Sequence, residues 1–306
     1  IIKILDTDNS ALAFEKMYKT GILFSIVDEF EKQVGCATVY YGKGGVLRHT
    51  INVMDKLDLF FTNPFKYSCV PENTSLELFG SKYLIKLAGL FHDIAKPHTA
   101  KIIDGRLRFF GHEDLGAEIT KKILEDLRFS NRDIRYVTTI IRHHLRIGSM
   151  ALNDPITQRA VLRLFHELKE SSLGLCVLSW ADYASHIKTE RLLKILKETF
   201  INPQPVKLKS YFGLKRTLRY LQVVNYIFRH YTEWKKKSDI KPLLDGNEIM
   251  KIVGIPPGPL VGRIKKKLID LQIDGKITTK EQARDYIHLE IKTIFLSSFV
   301  ISLLFE

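Results

Sequence analysis

Leu84-Ile85 through Asp93 is apolar nearly all round, and it closes on His92-Asp93. A helix without a polar face has to lie at the centre of a bundle, so this segment commits the chain to a fold built around it. Pro97 is read as its end. The closing pair is the costly part. An imidazole and a carboxylate buried side by side are unfavourable unless each is paired or coordinates a cation. Carboxylate and neutral imidazole both suit a divalent metal, although a lone His-Asp pair can equally be a hydrogen-bonded core contact.

The remaining periodicity is helical, and strand patterns are scarce. Ser10 can cap a helix through Ala13, Met17 and Tyr18 to Gly21, a glycine suited to the position just past a helix end. A helix from about Gly45 places Val46, His49, Val53 and Leu57 on one face. A loop, Thr62 to Thr74, carries Pro64 and Pro71. Arg106-Leu107-Arg108-Phe109-Phe110 reads as a short extended segment, followed by helices from about Gly111, Asn131 and Pro155 and an apolar helix from about Leu173 to Ala184. An all-α bundle over about 40 to 200 follows.

Asn202-Pro203-Gln204-Pro205 is a linker by composition. Beyond it, cations alternate with aromatics, among them Lys207, Lys209, Tyr211, Phe212, Lys215, Arg216, Tyr226 and Trp234. Tyr220, Val223, Val224 and Phe228 recur at helical spacing, so part of that aromatic content belongs to a core. A smaller basic helical domain closes the chain. Asp245 with Glu248, and Thr278 with Glu281, have capping-box spacing, and Pro256-Pro257-Gly258-Pro259 precedes a basic helix from Leu260 to Ile269.

The net charge of +13 over 306 residues suggests an anionic partner, most often nucleic acid, with a well-solvated lysine-rich surface as the alternative. Three scattered cysteines, Cys36, Cys69 and Cys176, make neither a disulfide framework nor a zinc ribbon, which favours a reducing compartment. No signal peptide is recognised at Ile1-Ile2-Lys3, and the apolar stretch from Ile294 to Phe305 is short of the about 20 residues that span a bilayer. A cytoplasmic protein with no membrane partner is expected.

His92-Asp93 has company. His49 lies on an apolar helical face upstream, and Asp182 lies in Leu178-Ser179-Trp180-Ala181-Asp182-Tyr183 downstream. Each alone reads as a satisfied core residue. Together they give the order H…HD…D on three helices of one bundle, where inward-pointing ligands build a metal site. Gly111-His112-Glu113 and Arg142-His143-His144-Leu145-Arg146 lie between.

This order, with His92-Asp93-Ile94-Ala95-Lys96-Pro97, resembles the HD superfamily of metal-dependent phosphohydrolases. The resemblance implies that His49, His92, Asp93 and Asp182 hold a first divalent ion. It implies that His112 and one of His143 or His144, with His144 favoured, hold a second. Nickel, manganese, cobalt, magnesium or iron would serve, as one ion or two. Such ions acidify bound water and clamp phosphoryl oxygens. Asp93 is then the central catalytic carboxylate, and Lys96 and Arg146 are candidates to neutralise phosphate, or else solvated cations at helix ends.

Ile4-Leu5-Asp6 to Gly21-Ile22-Leu23, Phe109-Phe110-Gly111-His112-Glu113, Pro242 to Glu248, Gly254 to Gly262 and Leu271 to Ile277 resemble the neck, HD segment and tail of bacterial CCA-adding tRNA nucleotidyltransferases. That resemblance implies a division into the end of a neck (1–40), an HD domain (41–200), a tRNA-binding tail (206–290) and an apolar terminal segment (291–306). It implies tRNA or another RNA as partner, a phosphorylated nucleotide substrate, and Arg263, Lys265 and Lys266 on RNA phosphates. The family's polymerase head carries GG-x-x-R-D followed by D-x-D. Here Gly44-Gly45-Val46-Leu47-Arg48 is followed by His49, and Asp55 and Asp58 are three apart. The glycine pair is read as coincidence, nucleotide addition by this chain alone is not expected, and any such head would be on another chain, as a separate partner, or truncated. Two readings result: a metal-dependent phosphohydrolase acting, for example, on 2′,3′-cyclic phosphates, or a non-catalytic tRNA-holding body.

Overall fold

A computed structural model describes residues 1–152, 156–201 and 215–289, with the side chains of 197–201 and 215 left out. Pro155, the Asn202–Pro205 linker, Lys207, Lys209, Tyr211, Phe212 and the apolar stretch after 290 therefore lie outside the described residues. The described chain is helical apart from one hairpin, in which strand Lys101–Ile103 pairs antiparallel with strand Arg106–Arg108 in the register Lys101 opposite Arg108. The fold is all-α, with the extended segment expected at Arg106 as the second strand.

The chain parts into two compact units: 1–156 with 168–232, and 157–167 with 233–306. The break is not at the expected linker. Helix Lys215–Arg229 packs on Ser171–Ala184 and Thr189–Ile201, and so belongs to the first unit. Its residues Val223, Val224 and Phe228 are buried, as their spacing requires.

In the first unit the helix Gly45–Thr62 is central. It packs against Lys82–Phe91, Ser171–Ala184, Ser10–Lys19 and Glu29–Gly35. Phe60 anchors it, with ring centroids 5.0 Å from Trp180 and 6.0 Å from Phe228. A fully buried side chain of this size contributes roughly 1.5–3 kcal/mol. Glycine sets how closely helices approach: a Cβ on Gly89 would lie 2.5 Å from Leu57 Cδ1, and one on Gly174 2.5 Å from the Tyr136 hydroxyl.

Some local expectations are corrected. Ser10 does not cap its helix, because its hydroxyl donates to Asp58 at 2.6 Å while the Ala11 N–H donates to the other Asp58 oxygen at 2.7 Å. The cap thus comes from a residue distant in sequence. Gly21 does take the left-handed conformation past the helix end (φ 77°). The apolar helix ends at Phe91 rather than at Pro97, which instead opens the short helix Lys96–Thr99.

The second unit holds Leu244, Ile249, Leu268, Ile277 and Ala283 in its core. Arg163 donates to Asp274 at 2.6 Å, and Arg159 to the Asp274 carbonyl at 2.7 Å. Asp245 and Glu248 form a reciprocal capping box. At the helix that begins at Lys280 the cap is one residue later than expected: Thr279 accepts from the Gln282 N–H at 3.2 Å, and the Gln282 side chain accepts from the Thr278 and Thr279 N–H groups. Among the described residues no helix is long and apolar enough to cross a membrane.

Candidate metal centre

The glycine pair before His49 has a local cause. Gly44 and Gly45 both have positive φ (97° and 54°), and a Cβ on Gly45 would meet the Cys36 carbonyl at 2.2 Å. The Val46 N–H donates to that carbonyl at 3.0 Å. The helix thus starts seated on the end of helix Glu29–Gly35, which leaves His49 buried five residues in. The other ligating candidates also lie at helix ends. His92 and Asp93 follow Lys82–Phe91, His112 opens His112–Asp126, His144 follows Asn131–His143, and Asp182 is near the end of Ser171–Ala184.

Asp93 lies where these ends meet, and its two oxygens face different histidines. Oδ2 is 3.2 Å from His92 Nε2, 3.5 Å from His49 Nε2 and 2.6 Å from Lys96 Nζ. Oδ1 is 3.5 Å from His112 Nε2 and 3.7 Å from His144 Nε2. Asp182 Oδ1 lies 3.1 Å from His49 Nε2. His49, His92, Asp93, His112 and His144 are buried, and the Asp182 side chain is 21 % exposed, so the cluster meets solvent on Asp182's side.

Three rings have their protons placed by the backbone. Nδ1 of His92 donates to Gly89 O at 2.8 Å, that of His112 to Phe109 O at 2.6 Å, and that of His144 to Ile141 O at 2.7 Å. A carbonyl oxygen only accepts, so each Nδ1 carries the hydrogen and each Nε2 presents a lone pair. Buried His92 Nε2 and Asp93 Oδ1 have no hydrogen-bond partner among the described residues. Orphaned acceptors converging in a buried space are the condition a divalent cation relieves. The residues fit such an ion, in two overlapping sets: His49, His92 and Asp93, and Asp93, His112 and His144.

The electrostatics suit that donor set at all but His92, where burial is outweighed by Asp93 and Asp182, which raise the ring. Burial pushes His144 down to about 3, reinforced by His92 and His112 against the pull of Asp93, which keeps the ring neutral. Burial likewise lowers His49 despite Asp182 and Asp93. For Asp93 burial acts upward, yet His92, Lys96 and His112 together hold the carboxyl well below its ordinary range. Asp182 is lowered as well, burial being outweighed by His49 and His92.

Of the alternatives at 143 and 144, the structure brings His144 into the cluster. The half-buried His143 turns away, its Nδ1 bonding Thr139 O at 2.9 Å. Lys96 is brought in as well. Arg146 is half-buried at the start of helix Arg146–Met150, two residues beyond His144. Arg263, Lys265 and Lys266 lie in the second unit.

Two neighbours escaped the sequence reading. Tyr41 stacks on His49 (centroids 4.6 Å apart, 14° between planes) and accepts from Lys96 Nζ at 2.8 Å. Burial, then Asp93, pushes its phenol up to about 12. His186 also stacks on His49, at 5.5 Å, and joins His49 and Asp182 in a third possible ligand group. Its i+4 spacing from Asp182 was a usable signal. Nothing in the sequence singles out Tyr41.

Residues 46–186 match the family model of the HD domain. The chain is 30% identical over 204 residues to the CC-adding tRNA nucleotidyltransferase of Thermus thermophilus, covering 66% of this chain and 39% of that protein. It is 26% identical over 206 residues to the A-adding tRNA nucleotidyltransferase of Deinococcus radiodurans, covering 67% and 41% respectively. A bifunctional uridylyltransferase/uridylyl-removing enzyme of Ruegeria pomeroyi matches at 28% over 184 residues, which is 58% of this chain and 19% of that one. The chain spans about two fifths of the length of the first two relatives. The stretch that matches the HD-domain model contains His49, His92, Asp93, His112, His144 and Asp182.

Proposed function

We propose that the protein is a divalent-metal phosphohydrolase that cleaves phosphate esters at RNA ends, 2′,3′-cyclic phosphates among them. One observation carries the reading: Asp93 presents one oxygen to His49 and His92 and the other to His112 and His144. A purely structural core has no use for four imidazoles aimed at one carboxylate. The name of the uridylyl-removing relative supports the reading, since it describes removal of a nucleotidyl group.

His49, His92, Asp93 and Asp182 would hold one ion, and Asp93, His112 and His144 a second. A bound ion supplies Lewis-acid charge to a phosphoryl oxygen and makes water more acidic. The chain's own residues do the rest. Asp93 holds the two groups of imidazoles together. Lys96, fixed between Asp93 and Tyr41, sets a permanent cation at the edge of the cluster, where it offsets phosphate charge. Arg146 is proposed for the same task from beyond His144. The test is hydrolysis of nucleoside 2′,3′-cyclic phosphates and a model phosphodiester by metal-stripped protein reloaded with nickel, manganese, cobalt, magnesium or iron. Absence of turnover with every ion rejects the reading.

A second reading is favoured by the basic helix Pro259–Ile273 and by the two tRNA nucleotidyltransferase relatives. In it the chain is a tRNA-holding body working with a nucleotidyltransferase head, with 1–40 as the close of a neck and 206–290 as a tail. Arg263, Lys266 and Lys267 are exposed at helical spacing, whereas Lys265 is half-buried. The two readings are compatible. A cytoplasmic location belongs to the same proposal.

A further inference from the structure

The hairpin Lys101–Arg108 is not explained by packing. Its strands are exposed except at half-buried Leu107, so it contributes almost nothing to the core. It is nonetheless held in place: the Tyr40 hydroxyl donates to the Leu107 carbonyl at 3.0 Å, and Lys96 Nζ lies 5.5 Å from the Phe109 ring centroid. Phe110 is 74% exposed only two residues before His112, and Tyr40 is 53% exposed opposite the hairpin. Lys101, Arg106 and Arg108 make no ion pair among the described residues.

Tyr40, Arg106, Arg108 and Phe110 border one open cleft of about 1090 Å³, and its lining includes Lys96 and His112 of the metal cluster. The volume is at or above the upper end for a drug-sized ligand, far more than a phosphate group needs. Exposed aromatic faces beside unpaired arginines are what stacked bases and backbone phosphates require.

We propose that this cleft holds the single-stranded end of a polynucleotide. A base stacks on Phe110, an internucleotide phosphate meets Arg106 and Arg108, and the terminal phosphate ester lies over the Asp93 cluster. The last clause rests on the phosphohydrolase reading, and the first two do not. A free mononucleotide would leave the hairpin arginines without a phosphate. Duplex ends would bury their base faces against each other and leave Phe110 without a partner.

Binding separates the two ideas. Affinity is measured by fluorescence anisotropy with a short labelled single-stranded RNA, on the full chain, with and without added manganese. Single-stranded DNA, duplex RNA, an abasic oligonucleotide and a nucleotidylated peptide serve as further arms. The expected result is preference for single strands that carry bases. Phe110→Ala should lose about five- to a hundredfold in affinity, Phe110→Trp should retain it, and Arg106→Ala with Arg108→Ala should flatten the salt dependence. Circular dichroism melts of each variant exclude unfolding as the cause. The RNA and DNA arms report which polynucleotide is preferred. Equal affinity of wild type and Phe110→Ala, tight binding of the abasic strand, or selection of the nucleotidylated peptide over RNA overturns the proposal. Binding as expected without hydrolysis of any ester would reject only the phosphohydrolase reading.

Discussion

His112 and His144 bring their Nε2 atoms to 3.2 Å of each other although both rings give their Nδ1 hydrogens to backbone carbonyls. Two lone pairs that close repel unless a cation is shared between them. His144→Ala is therefore expected to cost the protein one of its bound ions, whereas His143→Ala should leave metal content at the wild-type value. Metal analysis of both variants by inductively coupled plasma mass spectrometry after dialysis decides it. Loss in His143→Ala with none in His144→Ala would return the second site to His143.

Lys86 is fully buried, and its ammonium donates to Asp58 at 2.5 Å and to the Thr7 carbonyl at 2.6 Å. Asp58→Ala strands that charge and also removes the acceptor for Ser10 and Ala11. Breaking a buried pair on one side costs about 3–5 kcal/mol, read as a lower urea midpoint. Asp58→Asn combined with Lys86→Met is expected to recover most of the loss. A midpoint unchanged in Asp58→Ala would show that the node is not a stabilising one.

Glu15 accepts from both Arg48 nitrogens, at 2.6 and 3.1 Å. The Arg48 hydrogen bond, opposed by burial and assisted by Lys19, lowers its pKa from 4.5. A carboxyl lowered on folding contributes stability that is complete above the unfolded value and is lost as pH falls through the folded one. Glu15→Gln should therefore cost up to about 1 kcal/mol near neutrality and nothing once pH is well below 4. Denaturation midpoints of the two proteins from pH 7 downward should converge, and a constant gap contradicts the assignment.

The basic helix of the second unit is tested by salt. If Arg263, Lys265 and Lys266 contact tRNA phosphates, replacing all three by Ala reduces the slope of log affinity against log salt by roughly 2 to 3. Lys265 is half-buried while Arg263 and Lys266 are exposed, so Lys265→Ala alone should have the smallest effect. Equal slopes for wild type and triple variant, or equal affinity for a DNA duplex of the same charge, would reject a tRNA-holding surface.

How far the sequence could be read depended on the range of each interaction. The helix Lys82–Phe91 and the ligand His49 were legible because apolar periodicity reports burial, and a histidine amid buried residues needs a reason. The choice between His143 and His144 was not, since adjacent residues at a helix end differ by how the backbone turns there. The cap at Asp245 was legible because both partners are three residues apart. The cap supplied by Asp58 to Ser10–Lys19 was not, since its donor and acceptor are more than forty residues apart in sequence. A smaller C-terminal unit was legible but its boundaries were not, because the amphipathic helix Gln158–Leu168 shows that it buries a face without showing against which core.

The bonds from His92, His112 and His144 to carbonyls three residues earlier have a consequence for how the protein handles metal. Each ring is clamped by the turn of its own chain segment, so the donors are aimed before any ion arrives. If the cluster holds divalent ions, such a centre would be emptied and refilled without refolding. Its loading would then follow whichever divalent ion its surroundings make available, and a chelator would leave behind a folded receptor ready to exchange one metal for another.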